Sequence, residues 1–204
     1  MTYATRLIND PTQGLIVPKN FCIDTNFFQI NEVDMINSYC SRFPLKGGVL
    51  FDGEDHSERK IRLHFIECPD NENQWIYDKL NTLIGYYNDN YFHFDLVGYR
   101  YIQYGEYHLG GHQRYHTDIR YDFNRDYIHD CLRKITVILM LSDPSEYEGG
   151  ELLLNLSSEA RASSFKLPKG HVIMFPSFMP HQVNPVTAGV RKTLVVWPLG
   201  PKFK

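Results

Sequence analysis

The second half of the chain contains short apolar runs rich in β-branched and aromatic residues. In order, these runs are FDLVGYRYIQY, KITVILML, ELLLNL, HVIMF and TLVVW. Turn signals rich in Gly and Pro separate them, at residues 108–111, 148–150, 168–170 and 188–189. Many short strands at this spacing are typical of an all-β sandwich or barrel. The intervals are too short for regular crossover helices, which argues against a parallel α/β sheet.

Two helical patterns precede this β-rich region, in NEVDMINSYCSRF and in QWIYDKLNTLIGYYNDN. Apolar residues recur at helical spacing in both, and Asn31 and residues 71–73 offer N-caps. No linker divides the chain. We therefore expect one domain over residues 1–204, with a helical supporting region over 1–93 and a β-core over 94–204. The apolar positions of the two patterns are Val33, Ile36, Cys40 and Phe43, then Ile76, Leu80, Leu83, Ile84 and Tyr87.

Composition narrows the class of protein. The chain is 43% hydrophobic and 22% charged, as in a soluble globular domain, and its net charge of −3 offers no basic field for nucleic acid. The N-terminus has no signal-peptide pattern, and no apolar run approaches the ~20 residues that span a bilayer. The cysteines show neither metal-binding nor disulfide spacing. We therefore expect free thiols and a cytoplasmic protein without membrane contact.

The stretch QRYHTDIRY contains a His-x-Asp pair. If it is extended, His116 and Asp118 project from the same face of a strand, since side chains two apart share a face. His181 follows far downstream, just past the run HVIMF. Two imidazoles and one carboxylate form a facial triad that leaves metal positions open, as in non-haem Fe(II) oxygenases. A structural zinc site would more often use thiolates.

A candidate anion clamp lies shortly after the third candidate ligand. Arg191 opens the run RKTLVVW, and strand periodicity places Thr193 on the same face. A guanidinium binds a carboxylate through two parallel charge-assisted hydrogen bonds, and the threonine hydroxyl could add a third. The set therefore predicts a metal with open positions and, one strand over, a clamp for a dicarboxylate. A lone His-x-Asp or a lone arginine would carry little weight; their joint spacing supports a site.

The pattern H116-x-D118 … H181 … R191-x-T193 resembles that of the 2-oxoglutarate- and Fe(II)-dependent dioxygenases. The C-terminal half is similar, more closely, to the prolyl 4-hydroxylase-like or PKHD-type hydroxylases. Three stretches carry this resemblance, which covers residues 95–204. They are IQYGEYHLGGHQRYHTD, SDPSEYEGGELLL and LPKGHVIMFPSFMPHQVNPVTAGVRKTLVVWPLGPKFK.

The resemblance implies a mainly β fold, a double-stranded β-helix (a cupin-like jelly roll) with N-terminal helices supporting one sheet. It implies that His116, Asp118 and His181 bind Fe(II), and that Arg191 with Thr193 binds the far carboxylate of 2-oxoglutarate. Tyr107 matches a family tyrosine that touches cosubstrate or substrate. The remaining co-reactants would be O2 and, as a candidate reductant, ascorbate. The implied reaction hydroxylates a C–H bond of a prolyl or other residue in a protein or peptide, or of a small molecule, and releases succinate and CO2.

One departure from the family concerns the cosubstrate pocket. Some members place a tyrosine against the far carboxylate from the strand after the His-x-Asp, where this chain has Leu139 or Met140. That contact would fall to Thr193 or to no residue. Two alternative hypotheses retain the jelly-roll fold but involve no redox chemistry. One is a metal- or carbohydrate-binding module, and the other is a capsid-type structural protein. Neither has a use for Arg191. The sequence selects neither a substrate nor an oligomeric state.

Overall fold

The computed structural model describes residues 20–47, 58–119, 131–155 and 162–202. Within these ranges β-strands dominate, as the sequence predicts. The N-terminal half contains β1 (Cys22–Asp24), α1 (Ile30–Cys40), β2 (Lys46–Gly47), β3 (Arg59–Lys60), β4 (Arg62–Ile66) and α2 (Gln74–Tyr87). A π-helical turn, Asn88–Phe92, extends α2. The remaining strands are β5 (Ile102–Tyr107), β6 (His112–His116), β7 (Cys131–Arg133), β8 (Ile135–Met140), β9 (Tyr147–Gly149), β10 (Leu152–Leu154), β11 (Ser163–Phe165), β12 (Val172–Pro176), β13 (His181–Val183), β14 (Val186–Gly189), β15 (Arg191–Val196) and β16 (Leu199–Pro201).

Two antiparallel sheets form the core. The major sheet has seven strands in the order β1-β12-β8-β15-β5-β4-β2, and the minor sheet has five in the order β11-β10-β13-β6-β3. Two short ribbons, β14-β9 and β16-β7, complete the pairings of the described strands. Neighbours in space are distant in sequence, so the chain alternates between the sheets. This is the expected double-stranded β-helix, and the absence of parallel pairing within the described strands agrees with the argument against an α/β sheet.

The major sheet is buried on both faces. Along β15, Leu194 and Val196 pack with α1 and α2 in one apolar cluster, whereas Val195 and Trp197 belong to a second cluster between the sheets. The alternation follows from the two-residue period of a strand. It also explains why β8 reads as a continuous apolar run, since all six of its residues are buried. The helices therefore support one sheet, as expected, and leave the other face for a site.

The N-cap of α1 differs from the predicted one. Helix α1 begins after Gln29 rather than after Asn31, because Glu32 stands three residues beyond Gln29 and its carboxylate accepts the Gln29 backbone N–H at 2.8 Å. The predicted Asn31 cap is therefore wrong. Helix α2 follows Asn73, within the predicted segment. Phe43 lies beyond the end of α1 and stacks on His64, with ring centroids 4.5 Å apart.

Strand β5 begins later than the sequence pattern suggests. In the run FDLVGYRYIQY only the last three residues belong to the strand, which starts at Ile102. The preceding segment is tied to the C-terminal ribbon instead, through a bridge between Gly98 and Leu199. All four cysteines are free thiols, as predicted. None of the helices in the described ranges is long and apolar enough to cross a membrane.

The turn before β15 requires a glycine, and its replacement is a test of the fold. Gly189 has φ 71°, and an added Cβ would overlap the carbonyl oxygen of Glu146 on the paired chain segment. We expect Gly189→Ala to lower the free energy of unfolding by more than about 2 kcal/mol, since strain and clash add. Gly85→Ala is the matched control: that position lies inside α2 with open space around it, and should gain up to about 1 kcal/mol. Equal denaturation curves for the two variants would contradict this account.

Candidate metal centre and cavity

Three side chains converge between the sheets. His116 ends β6 and His181 begins β13, and the two residues are directly paired in the antiparallel register. Their rings lie 4.1 Å apart, and Asp118 follows two residues after the end of β6. The Asp118 carboxylate oxygens lie 3.6 Å from Nε2 of His116 and 3.3 Å from Nε2 of His181. The three candidate ligand atoms fall within 4.8 Å of one another, as the spacing in the sequence predicts.

The two imidazoles are oriented for metal binding by the backbone. Nδ1 of His116 lies 2.8 Å from the Arg114 carbonyl oxygen, and Nδ1 of His181 lies 2.9 Å from that of Met179. A carbonyl can only accept, so each Nδ1 carries a proton and Nε2 is the ring nitrogen left for a metal; the Gln113 side-chain nitrogen lies 2.9 Å from Nε2 of His116. This arrangement is the one that metal-binding histidines use to fix their tautomer. The donor set therefore fits a divalent metal such as Fe(II).

Burial and the neighbouring charges shift the pKa values of Asp118 and His181 in opposite directions. Burial alone would raise the pKa of the Asp118 carboxyl, but the neighbouring imidazoles of His181 and His116 hold that pKa well below its usual value. Burial would likewise lower the pKa of His181, yet Asp118 raises it. The carboxylate is therefore ionised and stabilises positive charge on its neighbours. A bound dication would then supply the positive charge that the carboxylate stabilises.

The Asp118 carboxylate is held by a residue that the sequence reasoning missed. Thr136, on β8, donates its hydroxyl to Oδ2 of Asp118 at 2.8 Å, and Ser177 lies 3.0 Å from the same hydroxyl. Both residues are buried. The available signal was a threonine at a cavity-facing position of an otherwise apolar strand, but its partner could not be read from sequence spacing.

This contact leads to a prediction about metal affinity. We expect Thr136→Val to weaken Fe(II) binding by roughly 10–100-fold, because loss of a hydrogen bond to a ligating carboxylate relaxes its orientation. Anaerobic Fe(II) titration against a competing chelator measures the effect. Thr82→Val is the control, since the Thr82 hydroxyl donates only to a carbonyl of its own helix, that of Asp78 at 2.9 Å. Unchanged affinity in Thr136→Val would show that the carboxylate needs no such support.

A cavity of about 810 Å³ opens beside the metal cluster and extends between the sheets. Arg191 lines it and is only 2% exposed. Its guanidinium lies 5.2 Å from the centre of the Tyr107 ring and makes a 3.8 Å contact from Nη2 to the sulfur of Met140. In the part of the chain that the structure describes, its Nε has no hydrogen-bond partner and no carboxylate forms an ion pair with it. A buried cation in this state is costly, so the pocket fits an anionic ligand.

Three residues that carry hydroxyl groups lie near this arginine in the fold. Thr193 and Tyr107 line the cavity with it, as predicted, and both are buried. Tyr147 was not anticipated: its hydroxyl is buried without a hydrogen-bond partner among the described residues. Tyr147 and Arg191 both lie against Gly150, and burial raises the pKa of Tyr147 while the charge of Arg191 opposes that rise. Met140, not Leu139, occupies the strand position next to Arg191, so the missing family tyrosine leaves a thioether there.

Comparison with known proteins agrees with this geometry. Residues 100–198 match the sequence model of the 2OG-Fe(II) oxygenase superfamily, and all six predicted site residues lie inside that segment. This segment, just under half of the chain, is therefore similar to that superfamily, and the superfamily's name implies Fe(II) and 2-oxoglutarate, with O2 as the oxidant.

The chain is also similar to PKHD-type hydroxylases. It is 49% identical over 63 residues to the one from Colwellia psychrerythraea and 39% identical over 85 residues to one from Xanthomonas euvesicatoria. The aligned segments cover 31% and 41% of this chain, but only 27% and 36% of those relatives.

Solved structures share the fold over most of the chain. A Pseudomonas putida prolyl-4-hydroxylase superposes with a TM-score of 0.70 at 17% identity, covering 91% of this chain and 94% of that one. A Trichoplax adhaerens prolyl hydroxylase in complex with a hypoxia inducible factor peptide fragment gives a TM-score of 0.69 at 21% identity, covering 88% and 83%. At these identities the likeness concerns the fold alone.

Proposed function

We propose that this protein is an Fe(II)- and 2-oxoglutarate-dependent dioxygenase that hydroxylates a C–H bond of a prolyl or other residue in a protein or peptide. The observation that carries the proposal is the pairing of two features in one cavity. The triad of His116, Asp118 and His181 leaves metal positions open, and the buried Arg191 needs an anion. A dicarboxylate that reaches both would satisfy both.

Different side chains would hold the metal and the cosubstrate. His116, Asp118 and His181 would hold Fe(II), with Thr136 and two backbone carbonyls fixing their orientation. Arg191 would bind the far carboxylate of 2-oxoglutarate. With these groups bound, the chemistry supplied is the oxidation of 2-oxoglutarate by O2 to succinate and CO2, one oxygen atom entering succinate and the other the substrate C–H bond. The protein contributes placement, charge and exclusion of water.

The substrate class is supported by the solved relatives alone. The Trichoplax adhaerens enzyme is a prolyl hydroxylase captured with a peptide fragment, which favours a peptide substrate here. The rival metal- or carbohydrate-binding jelly roll would keep the fold but leave Arg191 without a ligand.

Anaerobic titration separates these functions. We expect Fe(II) to bind more tightly when 2-oxoglutarate is present, since each ligand completes the site of the other, and we expect a weak visible charge-transfer band in the ternary complex. Succinate, the product dicarboxylate without the 2-keto group, is the control and should give no band. A metal-binding jelly roll would bind Fe(II) equally well with and without 2-oxoglutarate, and that result would remove the proposed function.

A further inference from the structure

The cavity is longer than the cosubstrate requires. The face of β15 that lines it runs from Arg191 through Thr193 and Val195 to Trp197 just past the strand end. At ~3.3 Å per residue these two ends lie about 20 Å apart along the strand. The Asp118 carboxylate stands near the Trp197 end, because Arg133 contacts both. A five-carbon dicarboxylate between Arg191 and the metal would lie on the Arg191 side of the metal, which leaves the Trp197 side for the primary substrate.

We call this far end the outer chamber, defined by Arg133, Trp197, Tyr101 and Phe65. Its aromatic side chains form a continuous wall. The Tyr101 ring meets Phe65 edge-on at 4.8 Å and Trp197 edge-on at 6.1 Å. Such a wall can pack against the apolar body of a substrate. It cannot by itself explain why an arginine is placed among the rings.

Arg133 is held in a defined orientation. Its Nη2 donates to the Tyr101 hydroxyl at 2.9 Å, and its guanidinium lies 4.0 Å from the centre of the Trp197 ring. Its Nη1 lies 3.9 Å from Oδ1 of Asp118, and the side chain is 13% exposed. A planar cation fixed in this way, close to a candidate metal ligand, is suited to bidentate recognition of a carboxylate.

The charge around Arg133 favours an anion more strongly once the metal is bound. Asp118 then shares its negative charge with the dication, so less of that charge is left to compensate Arg133. The acidic residue Glu58 does not oppose this field, since it pairs with Arg114 at 3.0 Å on the surface. Glu67 and Lys46 also line the cavity and carry opposite charges. Because the site is partly buried, solvent and salt screen these charges only weakly.

We propose that the outer chamber binds a carboxylate of the primary substrate on Arg133, with the apolar part of that substrate against the aromatic wall. The carbon that is hydroxylated then lies within a few bonds of the carboxylate, because Arg133 is adjacent to a ligand of the metal. The carboxylate could be a chain terminus or an acidic side chain. This inference rests on the proposed function, since it assigns the rest of the cavity to 2-oxoglutarate.

Paired acid and amide probes test the proposal by binding rather than by turnover. The protein is loaded anaerobically with Fe(II) and saturating 2-oxoglutarate, so that Arg191 is occupied, and probes are titrated by calorimetry. N-acetyl-L-proline against N-acetyl-L-prolinamide tests a terminal carboxylate. N-acetyl-L-aspartic acid α-amide against N-acetyl-L-asparagine amide tests a side-chain carboxylate. We expect one acid to bind at least about tenfold more tightly than its amide.

Substitutions assign the preference to the residue. Arg133→Gln should make the acid and its amide bind equally, Arg133→Lys should retain part of the preference, and Arg62→Gln, on an exposed position of β4 outside the cavity, should change nothing. Equal or undetectable binding of acid and amide in both pairs would overturn the proposal, as would a preference that survives in Arg133→Gln. Failure of the protein to take up Fe(II) and 2-oxoglutarate in the first step would instead remove the proposed function, and this inference with it.

Discussion

Replacing Arg191 by methionine should abolish cosubstrate binding while leaving the fold intact. The guanidinium is buried and lacks a protein counter-ion among the described residues, so it stabilises the protein only when an anion occupies the pocket. Loss of two charge-assisted hydrogen bonds should raise the dissociation constant of 2-oxoglutarate at least about a hundredfold. Anaerobic calorimetry of the Fe(II)-loaded protein measures this directly. The melting temperature without 2-oxoglutarate should not fall, because methionine removes an unpaired buried charge.

Two further variants test whether the effect depends on the guanidinium of Arg191. Arg191→Lys keeps the charge but not the planar fork, so its affinity for 2-oxoglutarate should fall between that of the wild type and that of Arg191→Met. Arg42→Gln removes an exposed arginine that pairs with Glu72 and does not line the cavity, and its affinity should be unchanged. If Arg191→Met bound 2-oxoglutarate as the wild type does, the cosubstrate would have to lie elsewhere in the cavity.

Replacing Asp118 by asparagine should remove the metal and with it all turnover. The substitution keeps the size of the side chain but removes the negative charge that a dication needs, and it leaves two neutral imidazoles as donors. We expect Fe(II) affinity to fall at least about a hundredfold, at the upper end of what a change around a metal ligand causes. The measurement is an anaerobic Fe(II) titration, with succinate formation in air as the second readout.

Asp78→Asn provides the control for this loss of charge. Asp78 lies on α2, where its carboxylate accepts a hydrogen bond from the Gln74 side chain at 2.9 Å, far from the cavity. Its Fe(II) affinity should equal that of the wild type. Retention of tight Fe(II) binding in Asp118→Asn would mean that the three grouped side chains are an internal ion-pair cluster rather than a metal site.

The sequence predicted the features of the site that depend on local geometry. Strand periodicity aligns Arg191 with Thr193, whereas β6 ends at His116 and Asp118 lies in the bend just beyond it, where its backbone N–H donates to the Ser177 carbonyl. That His181 meets His116 could not follow from periodicity, since it depends on which strands pair. The resemblance to a known family supplied that step, and the register between β6 and β13 is consistent with it.

Contacts between distant segments account for what the sequence reasoning missed. Thr136 holds Asp118 across two strands, and Tyr147 approaches Arg191 because β14 and β9 are paired. The cap of α1 was misplaced for a different reason: a Glu three residues after Gln29 was a local signal that outweighed the more common cap residue Asn31. No pattern in the sequence distinguishes Arg133 from its charged neighbours, and only the fold places it beside the metal cluster.

The most direct test of the central claim is succinate formation from 2-oxoglutarate and O2 by the Fe(II)-loaded protein without added substrate. Enzymes of the proposed class turn over slowly in this uncoupled way. We expect succinate from the wild type, none above background from His116→Ala, and full activity in the distant Asp78→Asn control. If the wild type forms no succinate and also shows no charge-transfer band with Fe(II) and 2-oxoglutarate, the cavity does not hold an oxygenase centre.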